Sequence, residues 1–263
     1  MYAFDVVRPK SLDEALAALG DEDAQALSGG QTLIPTLKQR LAMPSKLVSL
    51  TAIDDLKGVS HRGGSVVIGG ATTHAVVAAE AGAQFPALAA LAGNIGDPAV
   101  RNRGTIGGSL ANNDPSACYP AAALGSGATI TTNSRDIAAD DYFQGMFTTA
   151  LEEGEIVTSV SFPVPEKAAY VKFEQPASRF SLVGVFVTKT GDDVRVAVTG
   201  ASNNGVFRWT EAEAALSGNF SAEALDGLTA PADDMISDLH GSAAYRAHLV
   251  GVITKRAVTA ANG

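Results

Sequence analysis

Three glycine pairs constrain the fold of this chain more than any other feature. Gly29-Gly30, Gly69-Gly70 and Gly107-Gly108 lie at the mouths of segments with strand-like or helix-like patterns. Because glycine has no Cβ, backbone N–H groups at such a pair can approach a neighbouring chain or an anion closely. A single pair is most often only a turn. Two of the pairs, however, share a pattern of Gly-Gly, a hydrogen-bonding side chain and Leu, in GGQTL and GGSL. Two such loops facing each other would surround a diphosphate with amides.

The commoner phosphate-binding signatures are missing. The chain has no GxxxxGK[ST] and no GxGxxG after a strand, which disfavours a P-loop and a Rossmann site. Its 19 Lys and Arg against 28 Asp and Glu give a net charge of -9, which argues against nucleic acid or an anionic membrane as the main partner. A diphosphate would therefore be held mainly by amides and hydroxyls.

Cysteine content and hydropathy indicate the compartment. The single cysteine, Cys118, excludes an internal disulfide, suits a reducing cytoplasm and leaves the chain without ligands for an iron–sulfur centre. Asp5 and Arg8 interrupt the amino-terminal residues where a secretion signal needs an apolar core. The most apolar region, residues 75–91, is broken by polar residues and a proline, so no membrane span is predicted. We expect a soluble cytoplasmic protein.

The first half of the chain is predicted to have two parts. Up to about Ile53, a capped helix (SLDEALAALG), a buried strand (AQAL), a helix with Leu33, Leu37 and Leu41 on one face, and a strand (KLVSL) form a small unit. Residues 54–165 then contain the strand SVVIGG, helices in ATTHAVVAAEAG and FPALAALAGNIG, and a Gly-, Asn- and Pro-rich passage before the strand ATITT. We interpret this passage as a long functional loop.

The patterns change near Pro165, where a domain boundary is predicted. From residue 168 onward, AYVKFE and LVGVFVTKTGDDVRVAVTGAS indicate strands with a turn at Gly191, and a helix follows them. The C-terminal helix would place Tyr245, Leu249, Val252 and Ile253 on one face, with Lys255 and Arg256 late in the helix. This part, residues 168–263, is expected to form a smaller α+β domain.

Taken together, these motifs resemble a known family. SGGQTLIPTLKQR and RNRGTIGGSLANNDPSACYP are similar to the two FAD loops of the FAD-binding medium subunit of molybdenum hydroxylases, as in aerobic carbon monoxide dehydrogenases and xanthine dehydrogenase-like enzymes. IGGATTH and KFEQPASRFSLVGVFV resemble further family segments in the same order. The similarity runs along nearly the whole chain, and the two loops together are far more specific than either glycine pair.

The resemblance implies a fold and a function. The fold is α+β: a two-part FAD-binding domain of the PCMH (vanillyl-alcohol oxidase-like) type, residues 1–165 with subdomains of about 1–53 and 54–165, followed by a small C-terminal α+β domain with an antiparallel sheet. The implied function is that of an FAD-carrying electron-transfer oxidoreductase subunit. Its partners would be a large molybdopterin-binding subunit and a small [2Fe–2S] subunit, in a heterotrimer or its dimer. Electrons would leave the flavin for an external acceptor.

The resemblance also implies site residues. On the FAD diphosphate and its loops it places Gly29, Gly30, Gln31, Thr32, Leu33, Thr105, Gly107, Gly108 and Ser109. Elsewhere on the cofactor it places Ala71, Thr72, Ile106, Asp114, Lys172 and Phe180. Of these, Ile106 is implied to lie beside the isoalloxazine, and Lys172 and Phe180 are the weaker candidates near the ring. No catalytic acid or base and no metal ligand is implied.

Three positions depart from the family pattern. Cys118 stands where many relatives carry an acidic residue that helps to hold polar groups of the flavin, and a thiol is a poor acceptor. Because nothing nearby in sequence would activate the thiol, Cys118 is interpreted as a small packing residue. Ser28 replaces a frequent Ala, and Thr32 replaces a frequent Ser.

The remaining polar residues have plainer interpretations. Surface or helix positions, and not metal ligation, are predicted for the four histidines, His61, His74, His240 and His248. Arg101 and Arg103 would either meet a phosphate or acidic partner, or be solvated or salt-bridged. The pairs at 54–55 and 140–141 are interpreted as turn and cap aspartates.

Two alternatives remain open at this stage. A self-contained flavin oxidase or reductase of the same fold would need a substrate cavity and its own acid or base. A non-enzymatic scaffold that has lost FAD would be colourless. The substrate of a complex and its final acceptor do not follow from the sequence.

Overall fold

A computed structural model describes all residues, 1–263. The first part is a three-stranded parallel sheet in the order β1-β3-β2 with two helices. Ser11 caps the first helix by accepting the Glu14 N–H at 3.2 Å, as its sequence predicts. The elements are β1 (Asp5–Val7), α1 (Leu12–Leu19), β2 (Ala24–Leu27), α2 (Leu33–Lys38) and β3 (Lys46–Ser49).

Two predictions for this part were wrong. β2 was expected to be buried, but it is an edge strand in which no residue is fully buried. Leu41 lies beyond the end of α2 with its side chain 74% exposed. β2 is exposed because it pairs with a strand on one side only, and Leu41 is exposed because the helix ends at Lys38, before Leu41 can join its apolar face.

The second part surrounds a five-stranded antiparallel sheet in the order β4-β5-β10-β6-β7. Three helices lie in residues 97–128, where one long loop was predicted. Each of them has seven residues or fewer, so tertiary contacts must supply most of their stability. The elements are β4 (Val59–Arg62), β5 (Ser65–Gly69), α3 (His74–Glu80), α4 (Pro86–Gly93), α5 (Pro98–Arg101), α6 (Ile106–Asn112), α7 (Tyr119–Gly125), β6 (Thr129–Thr132), β7 (Asp136–Ala138), α8 (Ala139–Tyr142), β8 (Phe143–Gly145), β9 (Thr148–Thr149) and β10 (Val157–Pro163).

The third part is a four-stranded antiparallel sheet in the order β11-β12-β13-β14, with helices after it. Its turn at Gly191 is confirmed, with φ of +56°. On the last helix, Leu249 and Ile253 are buried as predicted, whereas Tyr245 is 41% exposed. Lys255 lies in mid-helix and not near its end. The elements are β11 (Lys167–Glu174), β12 (Ser181–Thr190), β13 (Asp193–Ser202), β14 (Gly205–Arg208), α9 (Thr210–Gly218) and α10 (Ala243–Asn262).

The third part supports the segment that follows α6. The Thr199 hydroxyl donates to the carbonyls of Pro115 (2.9 Å) and Ala117 (2.7 Å), and the Gly200 N–H donates to Pro115 at 2.7 Å. Phe186 of β12 also belongs to the core under the five-stranded sheet. Residues 114–118, which belong to the second part, are therefore also held by hydrogen bonds from the third part. No helix of the chain combines the length and apolarity needed to cross a bilayer.

Candidate functional site

The three glycine pairs converge in the fold. A Cβ built on Gly29 would lie 2.6 Å from the Cα of Gly104, and one built on Gly107 would lie 2.6 Å from the carbonyl oxygen of Gly70. Real Cβ atoms do not make such contacts, so glycine is required where the loops touch. The loop of residues 28–33 (the first loop) and the loop of residues 103–109 (the second loop) therefore meet directly.

The first loop presents unpaired amides. The N–H groups of Gly29, Gly30, Gln31 and Thr32, which we call the amide row, donate to no acceptor in the chain. Gly30 has φ of +70°, a conformation that L side chains adopt rarely. The residues Gln31 and Thr32 are exposed. Successive free N–H groups at such a turn form a concave donor surface that suits an anion.

The second loop uses most of its amides internally. Ile106 donates to the carbonyl of Thr72 at 3.1 Å and Gly107 donates to that of Gly70 at 2.9 Å. Gly108 donates to the Thr105 hydroxyl at 3.2 Å. The expected double row of free amides is thus a single row, because the second loop is anchored on the segment after β5.

Thr105 joins the two loops. Its hydroxyl caps α6 and lies 2.7 Å from the hydroxyl of Ser28 in the first loop. The Thr105 side chain is buried, with 2% of the residue exposed. Ser109 lies half-buried one turn into the helix, and its hydroxyl makes no hydrogen bond within the chain. The Thr105 hydroxyl thus connects the second loop to Ser28, the residue that precedes the amide row.

Ala71, Thr72 and Ile106 form the support behind the second loop. All three are buried. The Thr72 hydroxyl accepts the Gly58 N–H at 2.9 Å and donates to the Gly58 carbonyl at 3.2 Å. Because its hydrogen bonds are already made, Thr72 positions the loop through its backbone. Leu33, at the start of α2, is half-buried.

Asp114 and Lys172 make hydrogen bonds with residues that belong to neither loop. Asp114 accepts the N–H of Ser116 at 2.8 Å. The Lys172 ammonium donates to the carbonyls of Asn94 (2.6 Å) and Arg179 (2.8 Å), and its side chain is 1% exposed. Phe180, by contrast, is 57% exposed. The structure therefore brings the two loops together, whereas Asp114, Lys172 and Phe180 make no hydrogen bond to either loop.

His74 is a buried residue that was predicted to be polar surface or helix. It begins α3 with 5% of the residue exposed. Burial, with a smaller effect of the Arg101 charge, lowers the pKa of His74 to about 4. The imidazole is therefore neutral at pH 7. Its place directly after IGGATT, between a glycine pair and a helix, was the sequence signal for its position.

The two arginines near the loops behave differently. Arg101 donates to the carbonyls of Ile95 (3.0 Å) and Gly96 (2.9 Å), which is a structural use of its guanidinium. Arg103 is exposed and its side chain makes no ion pair or hydrogen bond within the chain. No group of three or more His, Cys, Asp or Glu side chains is arranged to hold a metal ion.

This arrangement fits the diphosphate of a dinucleotide. Four amides of the first loop are free to donate, Thr105 ties that loop to the second through Ser28, and the glycine contacts leave the loops close together. Donors of this kind bind phosphate oxygens without a lysine. That an acidic protein would hold a diphosphate through amides and hydroxyls stays a prediction from the sequence.

Comparison with known proteins gives consistent results along the chain. Residues 2–165 match the family described as FAD binding domain in molybdopterin dehydrogenase, and residues 168–261 match the CO dehydrogenase flavoprotein C-terminal domain. The carbon monoxide dehydrogenase medium chain of Afipia carboxidovorans is 38% identical, over 97% of this chain and 96% of the relative. The nicotine 6-hydroxylase medium subunit of Paenarthrobacter nicotinovorans is 35% identical, over 96% and 95%.

A solved structure is also similar. Reconstituted CO dehydrogenase from Oligotropha carboxidovorans superimposes with a TM-score of 0.89 at 36% identity, covering 99% of this chain and 98% of that chain. The fold expected from the resemblance, with its antiparallel C-terminal sheet, is confirmed by this match and by the observed topology.

Proposed function

This chain belongs to the family of FAD-binding medium subunits of molybdenum hydroxylases, and from that premise we propose that its two glycine loops hold FAD for electron transfer in such an enzyme. Electrons would arrive from the [2Fe–2S] clusters of a partner and leave for an external acceptor. When bound, FAD supplies the redox chemistry, and the protein supplies binding, orientation and tuning.

The amide row is the observation that carries this proposal. Four consecutive N–H groups without acceptors, in a loop joined to Thr105 through Ser28, suit two phosphate groups. We assign the diphosphate to the amide row together with the hydroxyls of Thr105 and Ser109. Gly107 and Gly108 act by allowing close packing, because their amides donate within the chain. The intact amide row speaks against a scaffold that has lost FAD.

The other assignments are supported more weakly. We propose that Ala71, Thr72 and Ile106 shape the wall of the site from behind the second loop, since all three are buried there. Asp114 and Lys172 would border the flavin end. Each already has partners within the chain, so they orient neighbouring segments and are not assigned an acid or base role.

The substrate is set elsewhere in the complex on this proposal. Relatives of 38% and 35% identity bear the names of a carbon monoxide and a nicotine enzyme, and both align along nearly the whole chain. A subunit so similar in two complexes of different substrate does not distinguish those substrates. Substrate oxidation is therefore assigned to a partner.

Two partner subunits follow from the chemistry. With one cysteine, which is buried, the chain cannot ligate a [2Fe–2S] cluster. We propose a small [2Fe–2S] subunit as electron donor and a large molybdopterin-binding subunit as the site of substrate oxidation, in a heterotrimer or its dimer. A reducing cytoplasm is the compartment in which a single free thiol is ordinary.

Reconstitution tests the proposal. The purified chain, incubated with FAD and desalted, is expected to retain a flavin absorbance band at about one FAD per chain. For glycine substitutions in the loops, such as Gly29→Ala, the matched control is Gly82→Ala, because its Cβ would meet only the Ala89 Cβ at 3.6 Å. A folded, colourless chain that takes up no FAD would contradict the proposal. Co-expression with candidate partner genes, followed by purification on a tagged copy of this chain, tests the assembly.

A further inference from the structure

We propose that His74 is a positioning residue for FAD binding, whose buried ring holds the second loop against the first. This inference rests on the proposed function, because the two loops matter only if the cofactor lies between them. His74 would not touch the cofactor. It would act through Gly104, the residue that separates the imidazole from the first loop.

His74 and Gly29 enclose Gly104 from two sides. A Cβ on Gly104 would lie 2.5 Å from Nε2 and 2.9 Å from Cδ2 of His74, so the ring rests on the Cα of Gly104. A Cβ on Gly29 would lie 2.6 Å from that same Cα. The second loop is therefore packed between the imidazole and the first loop, with no space for any side chain at position 104.

The backbone of His74 holds the same segment. Its N–H donates to the carbonyl of Gly104 at 3.0 Å, and Thr73 pairs with Thr105 as an antiparallel bridge. Thr105 is the residue whose hydroxyl links to Ser28. A displacement of Gly104 would thus be passed directly to the hydroxyl that joins the loops.

Tyr119 supports the ring from α7. The two ring centroids are 5.3 Å apart at 48°, and Tyr119 is fully buried. Neither His74 Nδ1 nor the Tyr119 hydroxyl has a hydrogen-bond partner in the chain. Since no hydrogen bond orients the imidazole, packing against Tyr119 and Gly104 determines its position. The ring acts by its shape.

The first test compares ring removal with ring replacement. His74→Ala is expected to raise the FAD dissociation constant of the full chain by about tenfold or more, and His74→Phe to stay within about threefold of wild type. Val77→Ala, in the same helix and fully buried, controls for loss of stability alone, because the atoms nearest a Cβ on Gly104 belong to His74 and Val100. His248→Ala, at an exposed position, controls for loss of a histidine.

The outcomes separate this inference from the proposed function. If wild type binds FAD and His74→Ala binds it equally well, the positioning role is overturned and the FAD site stands. If wild type itself takes up no FAD, the proposed function fails. If Val77→Ala weakens binding as much as His74→Ala at equal loss of thermal stability, the effect is general destabilisation and the inference is also overturned.

If His74→Ala folds poorly, a double-mutant cycle with Gly104→Ala measures the coupling between the two residues in FAD binding. Gly104 does not need a positive φ, so the obstacle to Gly104→Ala is steric and includes the imidazole. Gly104→Ala alone should weaken FAD binding. His74→Ala with Gly104→Ala should bind FAD more tightly than the product of the single effects predicts, because the space left by the ring accepts the methyl group. If the two substitutions have additive effects on FAD affinity, the His74 ring does not act through direct contact with Gly104.

Discussion

The first and second loops resemble each other in sequence but differ in what their backbone does. The first loop keeps four N–H groups free, whereas the second loop gives the amides of Ile106, Gly107 and Gly108 to acceptors in the chain. This difference shows that a Gly-Gly pattern allows two backbone segments to approach closely but does not by itself create an anion site. Whether an amide is free depends on the carbonyls that other segments bring to it.

The two loops consequently have different roles: the first offers donors to the cofactor and the second supports it. Unpaired N–H groups lose little while they are hydrated, since exposed residues such as Gln31 and Thr32 remain in water. The second loop is a fixed wall, anchored on Gly70 and Thr72 and closed by His74. Substitutions in the first loop should therefore affect cofactor affinity, and substitutions in the second should affect stability as well.

Glycine to alanine changes should show the largest difference between the two loops. A Cβ on Gly29 would lie 2.2 Å from the Arg103 carbonyl oxygen and 2.6 Å from the Gly104 Cα, so Gly29→Ala pushes the first loop away. We expect FAD affinity to fall by about a hundredfold or more, with a smaller loss of stability than for Gly107→Ala, because the amides of the first loop have no partner in the chain to lose. Gly107→Ala meets buried backbone of Gly70 at 2.6–3.0 Å, so the fold itself should lose about 3 kcal/mol or more. FAD titration and urea unfolding of both variants measure the contrast. Equal stability losses would show that the two loops are not distinct.

Acid pH should weaken the support of the second loop. The pKa of His74 is lowered from 6.5 to about 4, so the unfolded chain binds a proton on this residue before the native chain does. Stability should fall as the pH drops from about 6.5 to about 4, by roughly 3 kcal/mol in total, and this residue should cause no further loss below that. His74→Phe should remove this part of the pH dependence. Urea unfolding at several pH values checks it, and identical slopes for both proteins would contradict it.

Thr105→Val should affect both loops moderately. It removes the hydroxyl that caps α6 by accepting the Gly108 N–H and that contacts Ser28, while nearly preserving the side-chain volume. We expect a loss of about 1–2 kcal/mol in stability and a roughly tenfold weaker FAD affinity. Thr105→Ser keeps the hydroxyl and serves as the control. The prediction fails if valine and serine give the same affinity.

Ser28→Ala should have the smallest effect, confined to the first loop. The hydroxyl contact with Thr105 is part-buried, so its loss should cost about 1 kcal/mol or less, seen mainly as a several-fold weaker FAD affinity. In combination with Thr105→Val the effects should not add, since both remove the same contact. Full additivity in FAD titrations would mean that Ser28 acts independently of Thr105.

Much of the fold followed from local patterns. The Ser11 cap, the strands that end in glycine pairs and the turn at Gly191 are short-range features and were predicted correctly. The three short helices of residues 97–128 were missed because each has seven residues or fewer, and α6 contains two glycines and an asparagine of low helix propensity. Contacts with distant residues hold the segment between α6 and α7, where the Thr199 hydroxyl donates to the carbonyls of Pro115 and Ala117.

The sequence by itself determined where the three glycine pairs lie and that the chain is acidic and has no P-loop lysine. Both conclusions depend on residue type and charge, which are properties of the chain alone. Only the tertiary structure decided which amides remain free and that His74 is buried against Gly104. The acceptors of Ile106 and Gly107 belong to Thr72 and Gly70, more than thirty positions earlier, and hydrogen bonds between such distant residues are created only when the chain folds.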